Sequence, residues 1–118
     1  MKFTKKQIRP GVVVFEMAGS IRTGPDCRQI EQAVDEIIRG HETCAIFDFS
    51  GVSFIDSSGL GTVVKCLTKL KNSGGTLRLT GVKGMVKGVL ELTQINRVIE
   101  IYATASEASQ DLPPVSTP

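Results

Sequence analysis

Short β-branched, apolar runs alternate along this chain with segments whose apolar residues recur at helical spacing, and that alternation narrows the possible folds most. Val12 to Met17 reads as one strand, and Thr43 to Phe49 as another that is apolar enough for the middle of a sheet. Thr76 to Thr80 alternates, with Leu77 and Leu79 on one side, and Val98 to Tyr102 is expected to be the last strand. Between them, Cys27, Ile30, Val34, Ile37 and Ile38 share one face of a helix that opens at Pro25-Asp26 and stops at Gly40. Leu60, Val63, Val64, Leu67 and Leu70 do the same in a helix from Asp56-Ser57-Ser58 to about Asn72, ended by Ser73-Gly74-Gly75. Met85 to Leu92 reads as a third, short helix and Ala103 to Asp111 as a last helical stretch. Strands joined through helices pair in parallel, so the fold class is an α/β sandwich. An exposed first strand, Phe3 to Ile8, adds through the Pro10-Gly11 turn. The expectation is a four- to five-stranded mixed sheet with about four helices.

A chain of 118 residues, 41% of them apolar, is one domain that can bury a core without disulfides or a metal. That domain is expected to span residues 1–111, with residues 1–10 a basic strand or arm. Leu112 to Pro118, with three prolines, is expected to be a flexible tail. The net charge of +2 is too small to argue for nucleic acid, and it is unevenly placed. Lys2, Lys5, Lys6 and Arg9 put four positive charges on the first ten residues, leaving ten basic and twelve acidic side chains on the rest. Cys27, Cys44 and Cys66 are odd in number and lack a C-x-x-C pair, which argues against a disulfide framework or a zinc site. They read as reduced packing residues, although Lys65 and Lys69 beside Cys66 would activate an exposed thiol. With no apolar h-region behind its first cations and no membrane-length apolar run, the chain is expected to be soluble and cytoplasmic.

The segment Phe54-Ile55-Asp56-Ser57-Ser58-Gly59-Leu60-Gly61 stands apart. It joins a buried strand to an amphipathic helix, so Asp56 or Ser57 falls at the N-cap, where its oxygen can accept from free backbone N–H groups. Capping does not explain Gly59 and Gly61, each of which costs up to about 1 kcal/mol in a helix. They are expected to leave the helix start bare for another chain, with Gly61, Thr62, Lys65 and Lys69 projecting opposite the leucines. Asp48 and Phe49 are expected to shape the loop leading to Ser57.

Asp56-Ser57-Ser58-Gly59-Leu60-Gly61, preceded by a strand and Val52-Ser53-Phe54-Ile55, resembles the signature of STAS domains, and most closely that of bacterial anti-sigma factor antagonists. The resemblance runs from about Val12 to Ser109. It includes the helix after Gly24, the Gly74-Gly75 turn, and the Gly84–Leu92 helix before Val98–Tyr102. It implies phosphorylation of the first serine, here Ser57, by an anti-sigma factor that is itself a serine kinase. It also implies that the unphosphorylated form binds that kinase and that a PP2C-like phosphatase restores it. Asp56, Ser58, Gly59, Gly61, Thr62 and Lys65 would then form the partner surface. No cofactor or metal is implied. Other uses of such a domain are a module of a stressosome-like scaffold or a cytosolic subunit of a membrane transport complex. In one respect the chain departs from the pattern: Gly19-Ser20-Ile21-Arg22 places Arg22 where related antagonists tend to carry an acid. Arg22 is expected either to lie near Ser57, pairing with its phosphate or an acidic partner, or to be a solvated loop arginine.

Two other classes fit less well. A serine hydrolase would need more than Ser57 or Ser58 at a strand-to-helix turn. The surroundings are not G-x-S-x-G, and the one histidine, His41, falls at the other end of the sheet. Gly81-Val82-Lys83-Gly84 has the G-x-x-G form of a KH loop, but it follows a strand rather than joining two helices. No Gly-Lys-Ser or Gly-Lys-Thr of a P-loop occurs.

Overall fold

The computed structural model describes residues 1–112. In chain order the elements are β1 (Lys2–Arg9), β2 (Val12–Ile21), α1 (Pro25–Arg39), β3 (Cys44–Ile55), α2 (Ser57–Asn72), β4 (Thr76–Thr80), α3 (Gly84–Leu92), a 3-10 turn (Ile95–Arg97), β5 (Glu100–Tyr102) and α4 (Ala105–Ser109). The five strands lie in the order β1-β2-β3-β4-β5. β1 pairs antiparallel with β2 across the Pro10-Gly11 turn, and the other three pairings are parallel. Each parallel connection steps one strand in the same direction. Crossovers of one hand therefore put α1, α2 and α3 on one face of the sheet. α4, after the last strand, covers part of the other face.

The core follows from strand alternation. Val13, Phe15 and Met17 of β2, Ala45, Phe47 and Phe49 of β3, and Leu77 and Leu79 of β4 pack against Ile30, Val34, Ile37, Leu60, Val63, Leu67, Leu70, Val86 and Leu90. The alternate residues Val12, Val14, Cys44 and Ile46 face the other way and meet Ala108 and Leu112.

Several elements differ in extent from the sequence expectation. β2 continues past Met17 to Ile21, and β3 past Phe49 to Ile55. Ser50-Gly51, beyond the expected strand end at Phe49, is strand, because Gly51 lets β3 pass close to β2. A Cβ there would lie 2.8 Å from the Ala18 Cβ. Asp48 and Phe49 are accordingly inside β3 rather than shaping a loop. Phe49 is core, and the Asp48 carboxylate accepts the Ser50 N–H at 2.9 Å. The last strand begins at Glu100, since the 3-10 turn entered through Gln94, in the left-handed region at φ 62°, occupies the preceding residues. Leu112, expected in the tail, is 5% exposed and packed; the remaining tail residues, 113–118, lie outside the described residues.

Candidate functional site

The long extension of β3 carries its chain end past β4 and hands directly into α2, so Ser57 and Ser58 form the first turn of that helix. Both are exposed. Asp56 is the N-cap, in an extended conformation at φ −91° and ψ 178°. Its Oδ1 accepts the Gly59 N–H at 2.8 Å and its Oδ2 accepts the Thr23 N–H at 2.9 Å. Its own N–H donates to the Ile21 carbonyl at 3.2 Å. One aspartate therefore caps α2 and ties it to the loop between β2 and α1. The bonds from Gly59 and then Thr23 hold the Asp56 carboxyl below the usual carboxylate range, with a smaller contribution from the Arg22 charge.

Arg22 lies in the loop between β2 and α1, and its guanidinium lies 4.4 Å from the centroid of the Phe54 ring. Its N–H donates to Asp26 Oδ2 at 3.1 Å, which fixes the loop that presents it. Phe54 as an aromatic seat for Arg22 was missed from the sequence. The period-two pattern of a longer β3 would have placed it outside the core.

Two residues of the expected partner surface are inside. Gly59 is buried, and a Cβ on it would lie 2.7 Å from Ile55 Cγ1 and 3.0 Å from both Ile21 Cγ2 and the Ile21 carbonyl oxygen. Its lack of a side chain brings α2 down onto the ends of β2 and β3. Thr62 is 7% exposed, because α2 packs against α1 as well as the sheet and so buries a wider arc than its leucines mark. Gly61 is exposed and open, with nothing within 4 Å of where a Cβ would be. Lys65 is exposed but pairs with Glu31 of α1 at 2.8 Å, and Lys69 pairs with Asp35 at 3.0 Å. Cys66 is fully buried, and burial pushes its thiol up to about 12, which removes it as a reactive group. His41 precedes β3 while Ser57 follows it, and that strand alone spans roughly 36–40 Å at strand rise, so the two cannot form a catalytic pair.

A shallow cleft of about 520 Å³ lies beside this end, between Ser50 to Ser53 of β3 and Lys83, Gly84 and Met85 at the start of α3. Met85 is 44% exposed there. It reads in the sequence as one more apolar position of a short helix, and only the placement of α3 against β3 shows it turned outward.

Residues 4–108 match the family described as STAS domain. The chain belongs to the STAS family. A candidate anti-sigma factor antagonist of Thermotoga maritima is 40% identical over 63 residues, which cover 53% of this chain and 56% of that protein. The aligned stretch thus spans little more than half of that relative. The crystal structure of a candidate anti-sigma factor antagonist from the same organism matches at TM-score 0.84 and 30% identity, over 93% of both chains. The phosphorylated form of the Bacillus cell fate determinant SpoIIAA matches at TM-score 0.73 and 25% identity, over 91% of this chain and 96% of SpoIIAA. This STAS domain is therefore similar, in sequence and fold, to proteins described as anti-sigma factor antagonists.

Asp56 gives this STAS domain a specific acid sensitivity. A carboxyl whose folded pKa lies below its ordinary 3.8 contributes stability that is complete above that value and is lost as pH falls through the lower folded value. The melting-temperature gap between wild type and Asp56→Asn is expected to be full near pH 6 and to narrow progressively once pH falls below 3.8. A gap that stays constant across that range would show that the Asp56 charge does not matter to the cap.

Proposed function

We propose that this STAS domain is a phosphorylation-switched anti-sigma factor antagonist. The unphosphorylated chain binds an anti-sigma factor that is itself a serine kinase, through Ser57, Ser58, Gly61 and the adjoining surface of Arg22. Transfer of the γ-phosphoryl group of ATP to the Ser57 hydroxyl ends that binding, and a PP2C-like phosphatase restores it. The cycle runs in the cytoplasm, and the domain serves as substrate and binding surface rather than as an enzyme.

The observation that carries this reading is the position of Ser57: exposed, first in α2, and not needed as the cap. Asp56 does the capping, so the hydroxyl beside it is free to be modified without unfastening the helix. A phosphate there meets the N-terminal end of the helix dipole, favourable to an anion by roughly 0.3–2 kcal/mol. Arg22, seated on Phe54, supplies the nearby cation in the chain-specific position where an acid is usual.

Co-purification from the native cell with phosphosite mass spectrometry tests the proposal. A kinase-type anti-sigma factor is expected as partner, with phosphate on Ser57 and none on a Ser57→Ala variant, and Arg22→Asp is expected to change the phosphorylation rate. A transporter permease as the main partner, or phosphate at another residue only, would overturn it.

A further inference from the structure

Among the described residues, the sheet face opposite α1, α2 and α3 is covered by α4 and the residues to Leu112, and the helix is five residues long, too few to hold without tertiary support. Two apolar anchors, Ala108 and Leu112, press on Val12, Val14, Cys44 and Ile46. Two arginines reach up from the sheet to hold it. Arg78 of β4, with its side chain 8% exposed, donates from Nη1 to the Ala108 carbonyl at 2.8 Å and to Asp111 Oδ1 at 2.5 Å, and from Nη2 to Asp111 Oδ2 at 3.2 Å. Arg9, at the end of β1, donates to the carbonyls of Ser109 and Leu112. These guanidinium bonds take the Ala108 and Ser109 carbonyls at the end of α4, where a helix runs out of its own N–H donors, and the Leu112 carbonyl just beyond it.

We propose that α4 and the residues to Leu112 form a latch that opens as a unit on the folded domain, uncovering the Cys44 thiol and the strip Val12, Val14 and Ile46, with Arg78 and Asp111 as its catch. α4 is the last described element, and detaching it breaks no strand pairing and disturbs no residue of the larger core. The catch separates without stranding a charge. Asp111 is already 69% exposed, and Arg78 keeps the Glu100 carboxylate 3.3 Å from Nε and the Tyr102 ring at 5.4 Å. An attachment made of few apolar contacts and several polar ones belongs to the low-stability end of a fold. Val12 and Cys44 begin their strands whereas Ser57 follows the end of β3, so the latch works at the opposite end of the domain from the serine pair. It does not depend on the reading of Ser57.

Two of the three cysteines make the opening measurable. Cys44 is 8% exposed beneath the latch, while Cys66 is fully buried between helices and sheet and reacts only when the domain unfolds. The test is native-state labelling with iodoacetamide, read cysteine by cysteine by peptide mass spectrometry. Under fast closing, each rate follows the open population. Asp111→Asn is expected to speed Cys44 labelling about three- to tenfold, and Leu112→Ala about tenfold or more, with the Cys66 rate unchanged. Equal acceleration of Cys44 and Cys66 would mean global unfolding and would overturn the latch, as would a Cys44 rate that neither variant moves. Asp111 is an exposed residue outside both cores, so its variant keeps the test decisive where Leu112→Ala fails to fold.

Discussion

Phosphorylation of Ser57 is expected to weaken anti-sigma factor binding about a thousandfold, turning a micromolar complex into a millimolar one, while the melting temperature holds or rises. A loss of that size needs about 4 kcal/mol, and a partner packed over the first turn of α2 incurs it by desolvating a group carrying about two negative charges. The free domain has no such cost. Ser57 is exposed, its modification stays in water, and the amides at the start of α2 face it. The neighbouring Asp56 carboxylate opposes a second anion, but two backbone N–H groups already bind it, and the charge of Arg22 acts on it from the next loop. Ser57→Asp, with one charge instead of two, is expected to reproduce part of the effect, about a hundredfold. Titration calorimetry with the partner and thermal melting of the free domain separate the two terms. A Ser57→Asp protein that melts many degrees lower yet binds with unchanged affinity would sink the switch.

What the sequence shows of this site is its chain position; what it hides is which residues face inward. The strand-to-helix junction at Asp56-Ser57 is legible because an acid before a helical apolar period marks a start, and the structure puts the cap at Asp56. The order of strands and helices is legible for the same reason, as each change of period is a change of element. β3 beyond Phe49 is not, because Ser50-Gly51 carries turn residues whose strand geometry comes from the approach of β2. Thr62 is not either: a helix buried against both a sheet and a second helix hides polar positions that an apolar period leaves on the outside. Arg78 is the plainest case. Alternation with Leu77 and Leu79 assigns it to solvent, and only α4, distant in sequence, folds over to bury it.

The two glycines of the motif, alike in sequence, are expected to respond to alanine with opposite signs. Gly59→Ala puts a methyl 2.7 Å from Ile55 Cγ1 and 3.0 Å from the Ile21 carbonyl oxygen. Ile55 is 2% exposed and Ile21 fully buried, so neither side chain can swing away, and the carbonyl belongs to β2, where it accepts the Asp56 N–H. The helix must lift, at a net loss of about 1–3 kcal/mol. That corresponds to a fall in melting temperature of roughly 4–12 °C. Gly61→Ala meets nothing within 4 Å, and alanine is better than glycine inside a helix by up to about 1 kcal/mol. Its melting temperature is expected to rise by roughly 3 °C. Partner binding then reads the second role. At Gly61 a larger residue such as Gln is expected to weaken the complex without lowering stability, because that position is open in the free domain and covered only when a partner is seated. At Gly59 affinity falls only as far as the fold does. If Gly59→Ala proves as stable as wild type, α2 is not held down on Ile21 and Ile55. If Gly61→Gln binds normally, the partner approaches Ser57 from the Arg22 side alone.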